Sequence, residues 1–245
     1  RQREAVRLLR LFAVPEDAER PLWAQLDSVY FQRHTADEIA WHARHLYYRT
    51  RGDTPVVRAR LARGETGLQV MVYLPDQKEL FARICGFFGR QGLSIVDARI
   101  HTTRHGYALD SSLVIDPNAN AHARDTLTLV EADRTERLKR RAELAPPVRG
   151  RISRRSRYFP IKPTVELRPD ERGQHWLLSI TANDRTGLLY SIARVLSTHH
   201  VNLYTARVST LGERVEDMFL IDGPALAKPK DQLHLETALL EALQA

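Results

Sequence analysis

The sequence predicts an α+β protein in which a short helical segment precedes two antiparallel sheets, each carrying its helices on one face. Two observations carry that prediction. One is an internal repeat at an offset of 108 residues, and the other is a change from helical to alternating hydrophobic period near residue 52. Pro55-Val56-Val57-Arg58-Ala59-Arg60 aligns with Pro163-Thr164-Val165-Glu166-Leu167-Arg168. Without a gap, the same offset pairs Leu68 to Leu74 with Trp176 to Ala182, Asp76 with Asp184, Leu80 with Leu188, Ile84 with Ile192, Ile95 with Leu203, and Ala98-Arg99 with Ala206-Arg207. One residue is lost at the next turn, so Asp110 pairs with Asp217, as expected where a hairpin loop differs in length between copies.

Taken in order, residues 1 to about 50 read as short helices. Leu8, Leu9 and Phe12 close a first helix before Pro15. Leu22, Leu26, Val29 and Tyr30 share one helical face after Pro21. Thr35 with Glu38 three residues on forms a capping box, after which Ile39, His42 and Leu46 fall on one face. Arg51-Gly52-Asp53-Thr54-Pro55 breaks the pattern. The first copy then reads as strands at 56–61 and 68–74, a helix at 79–90 stopped by Gly92, a hairpin of strands 95–102 and 107–116, and a second helix at about 119–144. The second copy repeats this with strands 164–167, 176–182, 202–210 and 214–221 and helices 186–199 and 231–244. Two β-β-α-β-β-α units of this kind make ferredoxin-like sandwiches. The boundaries follow as a helical segment at 1–52, a first domain at 53–145, a basic linker at 146–162 and a second domain at 163–245.

Composition narrows the function classes. With 245 residues, 43% hydrophobic and 27% charged, the chain is globular in character, and no stretch approaches the ~18 consecutive apolar residues of a membrane span. It begins on Arg1 with no apolar leader before Pro15, and reads as part of something longer. The single cysteine, Cys85, excludes an intramolecular disulfide and suits a reducing compartment, so cytoplasm is the expectation. The net charge of +7 comes from 37 basic residues of which five are lysine. Much of it lies between Arg134 and Arg157, where aromatic interleaving is limited to Tyr158 and Phe159. That pattern fits a solvated helix face and linker better than an RNA-reading surface. A basic nucleic-acid-binding or protein-docking module without a small-molecule ligand stays the alternative. His42-x-x-His45 and His101-x-x-x-His105 lack the acid or cysteine partner of a metal site and read as structural, so no metal or other cofactor is expected in this chain.

The strand-to-helix turn of the second copy, Asn183-Asp184-Arg185-Thr186-Gly187-Leu188, is the place where chemistry concentrates. Asp184 is expected to cap the helix, and Gly187 to admit a close backbone or ligand. Free N–H groups at a helix start suit a carboxylate, while Asp184 and the amide of Asn202 suit an ammonium and polar groups. The turn by itself is better read as a capped helix with a glycine for packing.

D-R-T-G-L-L-Y-S-I-A at 184–193, V-N-L-Y-T-A-R-V at 201–208 and G-E-R-V-E-D-M-F at 212–219 resemble an ACT domain, the ligand-binding module of amino-acid-regulated enzymes. D-Q-K-E-L-F-A-R-I-C-G-F-F at 76–88, the segment 94–110, R-Y-F-P at 157–160 and the Trp41-centred run at 23–42 resemble the C-terminal part of the bifunctional uridylyltransferase and uridylyl-removing enzymes that modify the nitrogen-signalling protein PII. The resemblance covers nearly the whole chain. It implies tandem glutamine-sensing ACT-type domains behind the tail of an HD phosphohydrolase region, with PII as the partner of the full enzyme and magnesium in its catalytic domains. Neither catalytic signature occurs here: there is no nucleotidyltransferase glycine-serine motif and no His-Asp doublet, so no catalytic residue is expected. Carried over position by position, the resemblance implies ligand contacts at Asn183, Asp184, Gly187, Leu188 and Asn202 in copy two, with Asp76 in copy one. Copy one has Glu79 where glycine stands and Ser94 where asparagine stands, which predicts copy two as the better-formed site and Asp184 as the more important acid. Pairing of the two ACT domains within the chain or across a dimer is left open.

Overall fold

The computed structural model describes residues 1–52, 54–62, 67–77, 79–115, 161–171, 173–185, 187–211 and 214–244. The helix expected at 119–144, the arginine-rich stretch 134–157 and most of the linker 146–162 lie outside the described residues. Helices α1 (Gln2–Leu11), α2 (Arg20–Trp23), α3 (Ser28–Arg33) and α4 (Ala36–Leu46) lead into the first copy, β1 (Val56–Leu61), β2 (Leu68–Pro75), α5 (Leu80–Arg90), β3 (Ser94–Arg99) and β4 (Tyr107–Ile115). The second copy follows as β5 (Thr164–Pro169), β6 (Trp176–Asn183), α6 (Leu188–Thr198), β7 (Asn202–Leu211), β8 (Arg214–Asp222), a 3-10 turn at Pro224–Leu226 and α7 (Pro229–Gln244).

The single helix expected after Pro21 is two. The carboxylate of Asp27 accepts from the Tyr30 N–H at 2.9 Å and starts α3 afresh, a local side-chain bond that competes with helix continuation. Leu22, Leu26 and Tyr30 are still buried, but Val29 is 37% exposed. The capping box of α4 is formed: Thr35 Oγ1 accepts from the Glu38 N–H at 3.2 Å, and Glu38 Oε2 accepts from the Thr35 N–H at 2.7 Å.

Among the described residues, eight strands join one sheet in the order β1-β2-β4-β3-β7-β8-β6-β5, with every neighbouring pair antiparallel. Each copy is a four-stranded antiparallel sheet, and the two are fused within the chain through β3 and β7, where Asp97 faces Ser209, Ala98 faces Val208 and Arg99 faces Arg207. On the inner face α5 packs on α6. The core under them is shared: Phe81, Cys85, Ala98 and Ile100 of copy one pack with Tyr190, Ile192, Val208 and Phe219 of copy two. A Cβ at Gly86 of α5 would stand 2.9 Å from Cε2 of the buried Tyr190 ring. Gly86→Ala gains about 1 kcal/mol of helix propensity but forces an aromatic ring out of a packed seam, which costs about 1 to 3 kcal/mol. A net loss of stability, read as a lower urea midpoint with unchanged slope, is expected.

The outer face decides where the helical segment sits. On copy one it presents Val56, Met71, Tyr73 and Leu109, which pack against Leu22, Tyr30, Ile39 and Trp41. The equivalent positions of copy two are Thr164, Ser179, Thr181 and Glu216, so the apolar area that the helices cover belongs to the first copy. Among the described residues no helix is long and apolar enough to cross a membrane.

Candidate functional site

In each copy the chain leaves a central strand, turns, and enters a helix through a left-handed residue: Glu79 with φ 64° before α5, and Gly187 with φ 79° before α6. The helices therefore begin at Leu80 and Leu188, and neither carries a side-chain hydrogen bond at its cap. The cap residue of α6 is therefore Gly187 and not Asp184. The left-handed step puts Gly187 at the cap position and leaves Asp184 three residues outside it. At the matching place in copy one a glutamate adopts a backbone that disfavours any side chain, at a cost of about 1 kcal/mol. Glu79 is held there by two neighbours. Its Oε2 pairs with Arg83 at 3.2 Å, and its Oε1 accepts from the Ser197 hydroxyl of α6 at 2.9 Å, across the seam between copies.

The antiparallel pairing of β3 with β7 crosses the two sites. The copy-one turn faces the start of β7, and the copy-two turn faces the start of β3. Asp76, Glu79 and Leu80 consequently share a cleft of about 710 Å³ with Asn202, while Asp184, Gly187 and Leu188 line a cavity of only about 40 Å³ with Ser94. Asn202 and Asp184, expected side by side, are separated into different sites. The first volume is within the range of small-molecule pockets and the second has room for only a few waters. Asn183 is turned to a local task, its Oδ1 accepting from the Ile161 N–H at 3.3 Å.

Among the described residues that line the large cleft, Asp76, Glu79 and Asp110 are acidic and His200 is the one base. Burial raises the Asp76 carboxyl above its ordinary range, opposed by the Thr102 hydroxyl, which donates to Oδ2 at 3.3 Å, and by the Gln77 N–H. Asp110, buried at an inward position of β4, was not singled out as a site residue in the sequence; a carboxylate in an apolar alternation was the signal available. Its repeat partner Asp217 is also buried. Burial pushes Asp217 up to about 7, against the Ser209 N–H that donates to it and with help from the charge of Asp184.

The expected structural role of the histidines has a geometric counterpart. His34 and His42 are buried around Tyr30, whose hydroxyl meets His42 Nδ1 at 2.7 Å. His101 lies 3.8 Å from the Asp27 carboxylate. Among the described residues no group of three acidic, histidine or cysteine side chains is gathered that could hold a metal ion.

Comparison with known proteins agrees with this architecture. Residues 1–45 match the family described as Uridylyltransferase GlnD fifth domain, and residues 69–128 and 174–245 each match an ACT domain. The bifunctional uridylyltransferase/uridylyl-removing enzyme of Ralstonia nicotianae is 58% identical over 99% of this chain and 29% of its own length. Those of Cupriavidus pinatubonensis and Burkholderia thailandensis are 55% and 54% identical, covering 100% and 99% of this chain and 28% of their own. The chain thus spans less than a third of the length of these relatives. Among solved structures, aspartate kinase from Synechocystis aligns with 75% of this chain and 29% of its own at a TM-score of 0.38 and 15% identity.

Proposed function

Because the chain belongs with the C-terminal regions of bifunctional uridylyltransferase/uridylyl-removing enzymes, a GlnD fifth-domain segment followed by two regulatory ACT domains, we propose that it senses glutamine in the cleft between them. The observation that carries the reading is the cleft of about 710 Å³ that takes Asp76 from one repeat and Asn202 from the other. A ligand there touches both repeats at once, which is what an effector needs in order to change their packing. Asp76 and Asp110 suit the ammonium, and the Asn202 amide suits a carboxylate or a side-chain amide. The first turn of α5 adds backbone N–H groups at Phe81 and Ala82, both lining the cleft. Glutamate brings one negative charge more. At ~6 Å from a carboxylate and an effective dielectric of ~20, that costs about 3 kcal/mol.

In the full enzyme, occupancy lowers uridylyl transfer to PII and favours its removal, which needs a coupling of only ~1 to 3 kcal/mol. The catalytic domains, with their magnesium, are supplied by other parts of such an enzyme, and the setting is cytoplasmic. Calorimetry on this chain is the test. Glutamine is expected to bind at one site per chain, with glutamate at least tenfold weaker. A folded sample giving no heat with millimolar glutamine contradicts the proposal.

A further inference from the structure

We infer that the Glu38–Arg99 pair is the link by which occupancy of the cleft reaches the helical segment, an inference that rests on the reading of the cleft given above. Strand β3 and the residues after it touch three things. Ile100 and Thr102 line the cleft, and Thr102 donates to Asp76. Asp97, Ala98 and Arg99 pair with β7 of the other repeat. On the opposite face of the sheet, Arg99 Nη1 donates to both carboxylate oxygens of Glu38, at 2.9 and 2.8 Å.

Glu38 is more than a surface partner. It is buried in the first turn of α4, accepts from the Thr35 N–H within the capping box, and accepts from Gln69 of β2 at 2.6 Å. One carboxylate thus fixes the start of α4 to two strands of the first repeat. Neighbouring contacts point the same way: Arg60 of β1 pairs with Asp37 at 2.7 Å and lays its guanidinium 4.4 Å over the Trp41 ring. A shift of β3 against β7 when the cleft fills moves Arg99 one residue from the cleft wall, and Arg99 carries the N-terminus of α4 with it. Glu38 and Arg99 act as positioning residues and touch no ligand.

The test combines hydrogen exchange with calorimetry on the whole chain, with and without glutamine. In the wild type, glutamine is expected to slow exchange both in β3 and β7 and in α4. In Arg99→Met, binding should stay within threefold and the strands should still respond, while the change in α4 falls by at least half. Arg99→Lys should restore part of it, and Glu38→Gln, which keeps the helix cap, should reproduce the loss if Arg99→Met folds poorly. An unchanged α4 response in Arg99→Met and Glu38→Gln overturns the link, as does a wild-type α4 that ignores glutamine while the strands respond. Absence of heat with the wild type removes the cleft reading itself, and the link with it, and is visible separately from the exchange data.

Discussion

On passing from pH 7 to pH 5, His34→Gln is expected to lose on the order of 2 kcal/mol less stability than the wild-type chain, and Asp217→Asn to lose roughly 2 to 3 kcal/mol more. The two signs follow from opposite shifts. His34 is 1% exposed, with Nδ1 at 3.0 Å from the Tyr30 carbonyl, and burial lowers it from 6.5 to about 4. Its folded form stays neutral while the unfolded form takes up a proton. The wild type therefore holds this stability above pH 6.5 and loses it as the pH falls toward 4. Asp217 is raised to about 7 by burial, so the folded state takes the proton first and gains stability over the window in which His34 loses it. Deleting the histidine removes a loss, and deleting the carboxylate removes a compensating gain. Against a total of about 5 to 15 kcal/mol, either change is large. His42 and His101, both lowered by burial, add to the wild-type loss without altering the signs. Urea titrations at pH 5, 6 and 7 on the three proteins read the difference. Parallel stability profiles would contradict the linkage.

The second large effect is on affinity. Asp76→Ala is expected to weaken glutamine at least tenfold, since a hydrogen bond to a charged group contributes about 1.5 to 3 kcal/mol. Asp184→Ala is expected to change it less than threefold, because Asp184 faces a cavity of about 40 Å³. This reverses the order expected from the aligned turns, and titration calorimetry on the two variants decides it. A larger loss in Asp184→Ala would place the ligand at the second-copy turn.

The contrast shows which parts of the molecule the chain makes legible. The repeat, its strands and its inward residues could be read from alternation, since period 2 says which side chains share a face. Alternation does not say which strand lies beside which. The fusion of β3 to β7, and with it the transfer of Asn202 from the site of Asp184 to that of Asp76, depends on a pairing made between residues more than a hundred positions apart. Local chemistry failed where a backbone conformation overrode it. A left-handed Glu79 looked like a lost glycine in the sequence, but in the fold it is the residue that crosses to Ser197. Asp27, an unremarked position inside an apolar helical face, breaks that helix with one hydrogen bond.

The central claim is that one ligand site lies between the repeats, built from the first turn and the seventh strand. A crystal structure of the chain grown with glutamine tests it most directly. The account predicts one molecule of glutamine against Asp76 and Asn202, and none beside Asp184 and Ser94; glutamine seated at Asp184, with the larger cleft empty, would contradict it.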